Sequence, residues 1–388
     1  MKVPLTRLWL AVLAGYLALG ATIQEMPAFV AGRFDGSVVL SATAVGIAFL
    51  ATALGRPFAG TAADNGRARP VVLLGATLTA VGGAGHLVAL DPAVLLLSRL
   101  VMGAGEAALF SGALPWVLAG TNPDRRGRVA GWFGLSMWGG LSAGPVLAAG
   151  VDSTYGYRGV WWAVAALGLL SAGLVVTTPS QARAARAPWW SGTVIPARIA
   201  VPGLVFGLSA YGYGTVSALA VLYLHSIRGG GETAVLALFA AAFLVTRFAG
   251  SPLVDRIGGA AVAAWSLAAE TSGLLVAGLA GSEPAVLAGA MLAGAGVALM
   301  YPATVAVTLR RTETTRPGAA VGAVTSFWDL GILAAGPIGG VLAATAGYGI
   351  AFVAAAALGA VAAVLAGTLL RKPVREAVAR SPDTTEVR

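Results

Sequence analysis

Four carboxylic acids lie inside long apolar segments of this 388-residue chain: Glu25, Glu106, Glu270 and Asp329. An acid in the middle of a membrane helix costs about 2.5–3.5 kcal/mol, so such residues usually have a function or a charged partner. Loss of water favours the neutral form of a carboxyl group, whose proton can then be exchanged. The four acids therefore predict proton exchange inside a membrane.

Three arginines, Arg56, Arg99 and Arg247, lie in segments of the same kind. Arg99 precedes Glu106 by seven residues, nearly two helical turns, so their side chains share a helix face. At about 1.5 Å of rise per residue, Glu25 is predicted at the depth of Arg99, and the two could pair. Each acid has an alternative role as the structural partner of an arginine or of a backbone group. The proton-coupling candidates are Glu106, Glu25, Asp329 and Arg99.

The composition indicates a membrane protein, with 57% hydrophobic and 11% charged residues, against about 25% charged residues in soluble domains. A spanning helix needs about 20 apolar residues, and twelve segments meet this requirement. The fold class is therefore an all-α membrane protein with twelve transmembrane helices. The predicted spans are 8–30, 41–61, 70–90, 92–121, 128–150, 158–178, 199–225, 233–256, 259–281, 284–310, 317–345 and 348–370.

Basic residues set the orientation, because loops on the cytoplasmic side are enriched in Lys and Arg. With the N-terminus inside, 19 of the 25 basic residues lie in cytoplasmic segments, three in outer loops and three within spans. This predicts a multi-pass protein of the inner (cytoplasmic) cell membrane with both termini in the cytoplasm. The same scatter of charges over short loops argues against nucleic-acid binding, despite a net charge of +9.

Metal and thiol chemistry find no candidates in the sequence. The chain has no cysteine, which excludes disulfides and thiolate metal sites. The two histidines, His86 and His225, are isolated from each other, which argues against a metal-ligand cluster. We therefore predict no metal site.

An internal repeat divides the chain into two halves. The run Arg56-Pro57-Phe58-Ala59-Gly60 recurs 191 residues later as Arg247-Phe248-Ala249-Gly250, and Gly103-Ala104-Gly105 recurs as Gly294-Ala295-Gly296. Repeats of this kind are typical of secondary transporters. The equivalent Arg56 and Arg247 are predicted to hold helix ends. The predicted units are a six-helix half (1–178), a cytoplasmic linker (179–198) that lies along the membrane or acts as a tether, a second six-helix half (199–370) and a cytoplasmic tail (371–388).

The loop between spans 2 and 3 resembles a signature of the major facilitator superfamily, roughly Gly-x-x-x-Asp-Arg-x-Gly-Arg-Lys. Here Gly60-Thr61-Ala62-Ala63-Asp64 is followed by Asn65-Gly66-Arg67-Ala68-Arg69, one residue short between Asp and Gly. The second copy, Asp255-Arg256-Ile257-Gly258, keeps the Arg after the Asp but lacks the later basic cluster. The residues of this gating motif are Gly60, Asp64, Gly66, Arg67, Arg69, Asp255 and Arg256.

The resemblance implies a gate at this loop. Asp64 would face the positive N-terminal end of span 11, near Gly318. Arg67 and Arg69 would pair with acidic groups or lipid phosphate, and the contact would lock an outward-facing state. The alternative is that Asp64 only ends a helix and the arginines only fix orientation.

Two further motifs resemble the same family. Arg99 with Gly103 and Gly105 on span 4 resembles its Arg-x-x-x-Gly-x-Gly motif. On span 5, Gly140-Leu141-Ser142-Ala143-Gly144-Pro145 resembles the Gly-x-x-x-Gly-Pro motif of its antiporters, although Ala148-Ala149 replaces the trailing glycine pair. Gly140 and Gly144 permit close helix packing, and Pro145 kinks the helix.

The resemblance implies a monomeric, non-enzymatic transporter that works by alternating access and uses a proton gradient instead of a cofactor. The expected activity is proton-coupled efflux of a small amphipathic molecule, a drug or metabolite. The alternatives are a proton-linked importer of a small solute such as a sugar and, from another class, a non-transporting membrane sensor. Its partners are the substrate, protons and the lipid bilayer.

Aromatic residues supply candidates for the wall of the substrate cavity, because binding sites for drug-like molecules are largely apolar and aromatic. Packing within the bundle or at the membrane interface is the alternative for each of them. The candidates are Tyr16, Phe110, Trp116, Trp138, Tyr211, Tyr213, Tyr301, Phe327 and Trp328.

Overall fold

The computed structural model of the chain describes residues 5–121, 126–178, 197–312 and 317–370, and all regular elements in these ranges are helices. A helix satisfies its backbone hydrogen bonds within its own segment, which an apolar bilayer requires. The predicted all-α class is confirmed. The predictions for the linker and the tail fall almost wholly on residues outside the described ranges.

Ten continuous helical stretches of the described chain are long and apolar enough to cross a membrane. Two of them, Val38–Leu87 and Gly131–Val176, contain 50 and 46 residues, more than twice the ~20 residues of one crossing. Each is interrupted by a glycine with a left-handed backbone, Gly66 in the first and Gly156 in the second. Each therefore crosses twice, and the twelve predicted passes are present.

The spans are numbered here in chain order, and several consist of two helical pieces. They are span 1, Leu5–Phe34; span 2, Val38–Gly46 and Ala48–Ala62; span 3, Ala68–Leu87; span 4, Pro92–Ala119; spans 5 and 6, the two parts of Arg126–Val176 on either side of Gly156; span 7, Ala197–Ser226; span 8, Val235–Ile257; span 9, Gly259–Ala280; span 10, Glu283–Val297 and Met300–Thr312; span 11, Pro317–Ala346; and span 12, Tyr348–Leu365, extended by Ala366–Leu370.

Glycines with positive φ mark equivalent turns in the two halves. Gly66 (φ 78°) joins spans 2 and 3, and Gly258 (φ 86°) joins spans 8 and 9. Gly156 (φ 66°) joins spans 5 and 6, and Gly347 (φ 93°) joins spans 11 and 12. Residues with a side chain rarely adopt this backbone conformation. A glycine with positive φ thus recurs at equivalent turns of the two halves, although ψ differs between Gly66 (15°) and Gly258 (147°).

Within each half, glycines let two spans approach closely. A Cβ atom at Gly140 would lie 2.6 Å from the Cβ atom of Tyr16, and one at Gly144 would lie 2.5 Å from the backbone nitrogen of Ala21. Span 5 therefore packs against span 1 at a distance that only glycine permits. Pro145 follows directly inside the same helix.

The two halves meet mainly where span 2 packs on span 11 and span 5 packs on span 8. Because the chain crosses twelve times, its first and last spans begin and end on the same side of the bundle, which we call the terminal face. The other side is the opposite face. Towards the opposite face spans 2 and 11 touch, because a Cβ atom at Gly46 would lie 3.3 Å from the Ile332 carbonyl oxygen, and one at Gly340 3.0 Å from Val39 Cα. Towards the terminal face they are separated by a cavity.

Candidate substrate and proton site

An ion pair joins the two halves in the middle of the bundle. The Arg56 guanidinium on span 2 donates from Nε to Oδ2 of Asp329 and from Nη2 to Oδ1 at 3.0 Å. Both side chains are buried, with exposures of 4% and 0%. A two-point pair of this kind is strong and directional. Removing either member would leave the other as an unpaired buried charge, which is far more costly than the pair itself.

Glu106 lies beside this pair, and no described residue forms a hydrogen bond with its carboxyl group. It is fully buried on span 4, and neither Oε1 nor Oε2 has a partner among the described residues. The charged groups that act on it are Arg99, Arg56 and Asp329. The Tyr16 hydroxyl donates to its backbone carbonyl at 3.3 Å and leaves the carboxyl group free. A buried carboxylate without donors is costly, so this group is suited to hold a proton or to meet a ligand.

The ion pair and Glu106 face one central cavity, in which the space open to the centre of a water molecule is about 10 Å³. Its wall comes from spans 1, 2, 4, 5, 7 and 11, and therefore from both halves. It is lined by Tyr16, Phe49, Arg56, Glu106, Met137, Trp138, Leu141, Phe206, Thr325, Trp328 and Asp329.

A second cavity, with about 120 Å³ open to the centres of water molecules, lies between spans 2, 4 and 11, on their terminal-face portions. Arg56 and Thr325 line both cavities, so the ion pair lies where the two spaces meet. The second cavity reaches the exposed Pro57 and is also lined by Phe110 and Leu114. The second cavity therefore extends from the central site towards the terminal face.

Four of the nine aromatic candidates line a cavity: Tyr16, Trp138 and Trp328 the central one and Phe110 the second one. Phe327 does not, because span 11 turns it towards span 7, where a Cβ atom at Gly203 would lie 2.5 Å from its ring. The others that line neither cavity are Trp116, Tyr211, Tyr213 and Tyr301.

An aromatic cluster links the halves beside the ion pair. The N-terminal half contributes Trp138, whose ring centroid lies 4.9 Å from that of Trp328 and 5.4 Å from that of Phe243. Phe206 packs on Trp328 at 4.6 Å. Such pairs add about 0.5–1.5 kcal/mol each beyond area burial. The cluster comprises Trp138, Phe206, Tyr213, Phe239, Phe243, Tyr301 and Trp328.

Arg247, the repeat equivalent of Arg56, has a different environment. Its Nη1 donates to the Ala298 carbonyl at 3.1 Å, and its guanidinium carbon lies 5.6 Å from the Tyr301 ring centroid. No carboxylate of the described residues forms an ion pair with it. Ala298 lies in the break between the two pieces of span 10. Arg247 therefore donates a hydrogen bond to a carbonyl at the break in span 10. Arg56, which was predicted to have the same structural role, lines the cavity instead.

Arg99 contacts neither Glu25 nor the cavity. Its Nε and Nη2 donate to the carbonyls of Ala44 and Val45 at 2.8 and 3.0 Å, next to the break in span 2. Carbonyls at a helix end lack intrahelical partners, which explains this use of a buried arginine. Glu25 is buried near the opposite face, where the charged group that acts on it is Asp152. The expected pair of Glu25 with Arg99 is therefore wrong: similar depth does not place two helices side by side.

The gating motif forms the turn Ala63–Arg67, which packs against spans 2, 3 and 4 of its own half. The predicted contact of Asp64 with span 11 remains a prediction. Arg69 differs from expectation, since its Nη2 donates to the Val176 carbonyl at 2.8 Å rather than to an acid or a lipid. Val176 ends span 6, and a cation there complements the helix dipole. The motif's remaining members are Gly60, Gly66 and Arg67, with Asp255 and Arg256 exposed at the end of span 8.

Sequence reasoning missed several cavity residues. Phe49, Met137, Leu141 and Phe206 are apolar residues in apolar spans, so no signal distinguishes them from packing residues. Arg56 did carry a signal, as an intramembrane charge, but its repeat in the second half suggested a structural role. In the described part of the chain no three His, Cys, Asp or Glu residues cluster to hold a metal ion.

Comparisons with known proteins agree with this architecture. The model of the Major Facilitator Superfamily matches residues 8–231 and again residues 203–386. The MFS-type transporter STM4428 of Salmonella typhimurium is 31% identical over 355 residues, covering 89% of this chain and 91% of that protein. YhhS of Escherichia coli, also an MFS-type transporter, is 27% identical over 342 residues, covering 86% and 84%.

Solved structures show the same fold. A bacterial homologue of the human lysosomal transporter Spinster superposes in its inward-facing, unoccupied form with a TM-score of 0.72 at 14% identity, covering 96% of this chain and 98% of the other. Its inward-facing, occupied form gives a TM-score of 0.74 at 15% identity, covering 93% and 95%. The chain belongs to the Major Facilitator Superfamily and is a secondary transporter, not an enzyme.

Proposed function

We propose that this transporter exports a small amphipathic molecule in exchange for protons. The observation that carries the proposal is Glu106: a carboxyl group without a hydrogen-bond partner, facing a cavity beside a charged pair. As part of the same proposal, the chain is a monomer of the inner cell membrane with both termini in the cytoplasm. The terminal face is then cytoplasmic, and the state described faces inward.

The walls of the central cavity fit an amphipathic molecule. Tyr16, Trp138, Phe206 and Trp328 provide apolar and aromatic surface, and Glu106 supplies a polar contact among them. Binding sites of this kind place few polar groups within a mainly apolar wall. In this state the central cavity has room for about one water molecule. An organic substrate therefore needs the site to widen by rotation of side chains, or uses the adjoining second cavity.

The proton and the substrate would compete at Glu106. In the inward-facing state the substrate binds from the cytoplasm against Glu106, and the proton leaves to the cytoplasm. In the outward-facing state the substrate departs and a proton from outside returns. The Arg56–Asp329 pair, which joins the halves, keeps its charges balanced while Glu106 changes protonation.

Proton exchange and direction are tested together in two steps. A strain that overproduces the protein is profiled against a panel of amphipathic dyes and antibiotics, and we expect reduced susceptibility to some of them. Each such compound is then added to energised inside-out vesicles that hold a fluorescent pH probe. Export by proton exchange collapses part of the pH gradient. Increased sensitivity or uptake instead, without this proton flow, would favour the importer.

A further inference from the structure

Glu270 is a buried acid that the central cavity does not use. It lies in the middle of span 9 with 1% exposure. The Ser209 hydroxyl on span 7 donates to its Oε2 at 2.6 Å. Its other oxygen, Oε1, has no hydrogen-bond partner among the described residues. The carboxyl group therefore has one neutral donor and one unsatisfied oxygen.

Glycines form the space that this carboxyl group occupies. A Cβ atom at Gly212 of span 7 would lie 2.5 Å from Oε1, and one at Gly296 of span 10 would lie 2.7 Å from the Cα atom of Glu270. Water has little room in such a close contact of three spans. An anion held there would lose its hydration without gaining a counter-charge.

Among the described residues, no charged side chain compensates an anion at Glu270, and the one side chain that acts on it is that of Ser209. Spans 7, 8, 10 and 12 pack against span 9, and none of the ionisable groups on their described parts is among the groups that act on the Glu270 carboxyl. Arg247 of span 8 donates to the break in span 10. The remaining ionisable groups of the described parts of these spans are the phenols Tyr211, Tyr213, Tyr223, Tyr301 and Tyr348 and, near the span ends, Arg198, His225, Asp255, Arg256, Glu283, Arg310 and Arg311.

The first half shows that the fold does not require an acid at this position. Thr79 of span 3 lies 191 residues before Glu270 and packs on Gly105, the equivalent of Gly296. Its hydroxyl donates to the Gly75 carbonyl at 3.0 Å, so it is satisfied within its own helix. The second half has replaced this self-contained hydroxyl with an ionisable group that links two spans.

We propose that Glu270 is a second proton-binding site, built into the C-terminal half and separate from the central cavity. The carboxyl group holds its proton between spans 7, 9 and 10, and exchanges it only when these spans part enough to admit water. Span 7 also carries Phe206 into the central cavity, so its movement would link the two sites. A metal cation fits less well, because one carboxylate and one hydroxyl are too few ligands.

Infrared spectroscopy of the purified full-length protein in lipid tests this site without any substrate, and its result is independent of the proposed transport activity. A protonated carboxyl group has a carbonyl band distinct from the bands of an ionised carboxylate. We expect Glu270→Gln to remove one carbonyl component at neutral pH. Ser209→Ala should shift that component to higher frequency, because Oε2 loses its hydrogen bond. Glu106→Gln should leave the component in place.

Three outcomes would overturn the proposal. The first is that Glu270→Gln loses intensity in a carboxylate band and not in a carbonyl band. Glu232→Gln, which removes a partly exposed acid, is the reference for such a loss. The second is that sodium chloride changes the carboxylate bands of the wild type but not those of Glu270→Gln. This result would indicate that Glu270 binds a metal cation. The third is a deuterium shift of the carbonyl component as fast as the exchange of exposed amides. If Glu270→Gln fails to fold, the band shift in Ser209→Ala decides.

Discussion

Arg56 and Arg247 occupy equivalent positions in the two halves, 191 residues apart, yet they form different contacts. Arg56 forms a two-point ion pair with Asp329 across the interface of the halves. Arg247 lies over the Tyr301 ring. The cause is on the facing span: Asp329 lies 191 residues after Trp138, so the repeat has an acid on span 11 and an indole on span 5.

The difference teaches how a duplicated fold divides its tasks. The interface of spans 2 and 11 carries the Arg56–Asp329 ion pair, whereas span 5 meets span 8 through the aromatic contact of Trp138 with Phe243. The cavity acid follows the same rule, since Glu106 on span 4 has Val297 as its counterpart on span 10. The carboxyl and guanidinium groups of the cavity therefore lie on spans 2, 4 and 11.

The largest effect is expected for Glu106→Gln, which has the shape of the protonated acid but cannot ionise. It should abolish accumulation of substrate against its gradient while part of substrate binding or passive exchange remains. Accumulation and exchange are measured on the same proteoliposomes. Glu25→Gln, near the opposite face, should impair coupling less. Wild-type accumulation with wild-type pH dependence in Glu106→Gln would assign the coupling to Glu25 or Asp329.

The next effect concerns the ion pair itself. Arg56→Gln and Asp329→Asn should each destabilise the protein by about 3–5 kcal/mol, because an uncompensated buried charge remains. The double variant should recover much of that loss, since both charges are then absent. Thermal unfolding in detergent of the three variants measures this coupling. Additive losses in the double variant would show that the two residues do not act as a pair.

The two equivalent turns offer a third comparison. Asp64→Asn should slow turnover severalfold with little change in substrate affinity, since the family gate would shift the balance of inward and outward states. Asp255→Asn, the equivalent change in the second copy of the motif, is measured beside it, and we expect a smaller effect because that copy lacks the later basic cluster. Equal turnover in the wild type and Asp64→Asn, at equal expression, would reduce Asp64 to a helix terminator.

The smallest effect is expected at the second arginine. Arg247→Gln loses a stacking contact with Tyr301 and weakens one hydrogen bond, and leaves no acid unpaired. A stability loss of about 1–2 kcal/mol follows, with coupled transport retained. Thermal unfolding beside Arg56→Gln gives the comparison directly. A loss as large as that of Arg56→Gln would mean that the two interfaces are alike after all.

The overall fold could be predicted because its signals are local. Apolar length marks each span, and a glycine such as Gly66 or Gly156 marks a turn that other residues rarely adopt. The sequence repeat then relates one half to the other. Span ends differ by a few residues from the predicted ones, as at span 1, where apolar length does not specify where hydrogen bonding stops.

The site could be predicted only in part, because it depends on which spans face each other. The sequence indicates that Arg56 and Asp329 are intramembrane charges, but not that helices 273 residues apart bring them together. Depth suggested Arg99 as the partner of Glu25, whereas a helix break provided carbonyls as better partners. Arg69 illustrates the same limit, since its acceptor is a helix end more than 100 residues away.

Proton release on substrate binding tests the central claim most directly. The purified protein in weakly buffered detergent solution is mixed with a compound found in the susceptibility profile, and a pH-sensitive dye reports the protons released. We predict release by the wild type and by Glu270→Gln, whose acid is remote from the cavity, and none by Glu106→Gln at concentrations where it still binds the compound. Equal proton release by Glu106→Gln and the wild type would contradict the account.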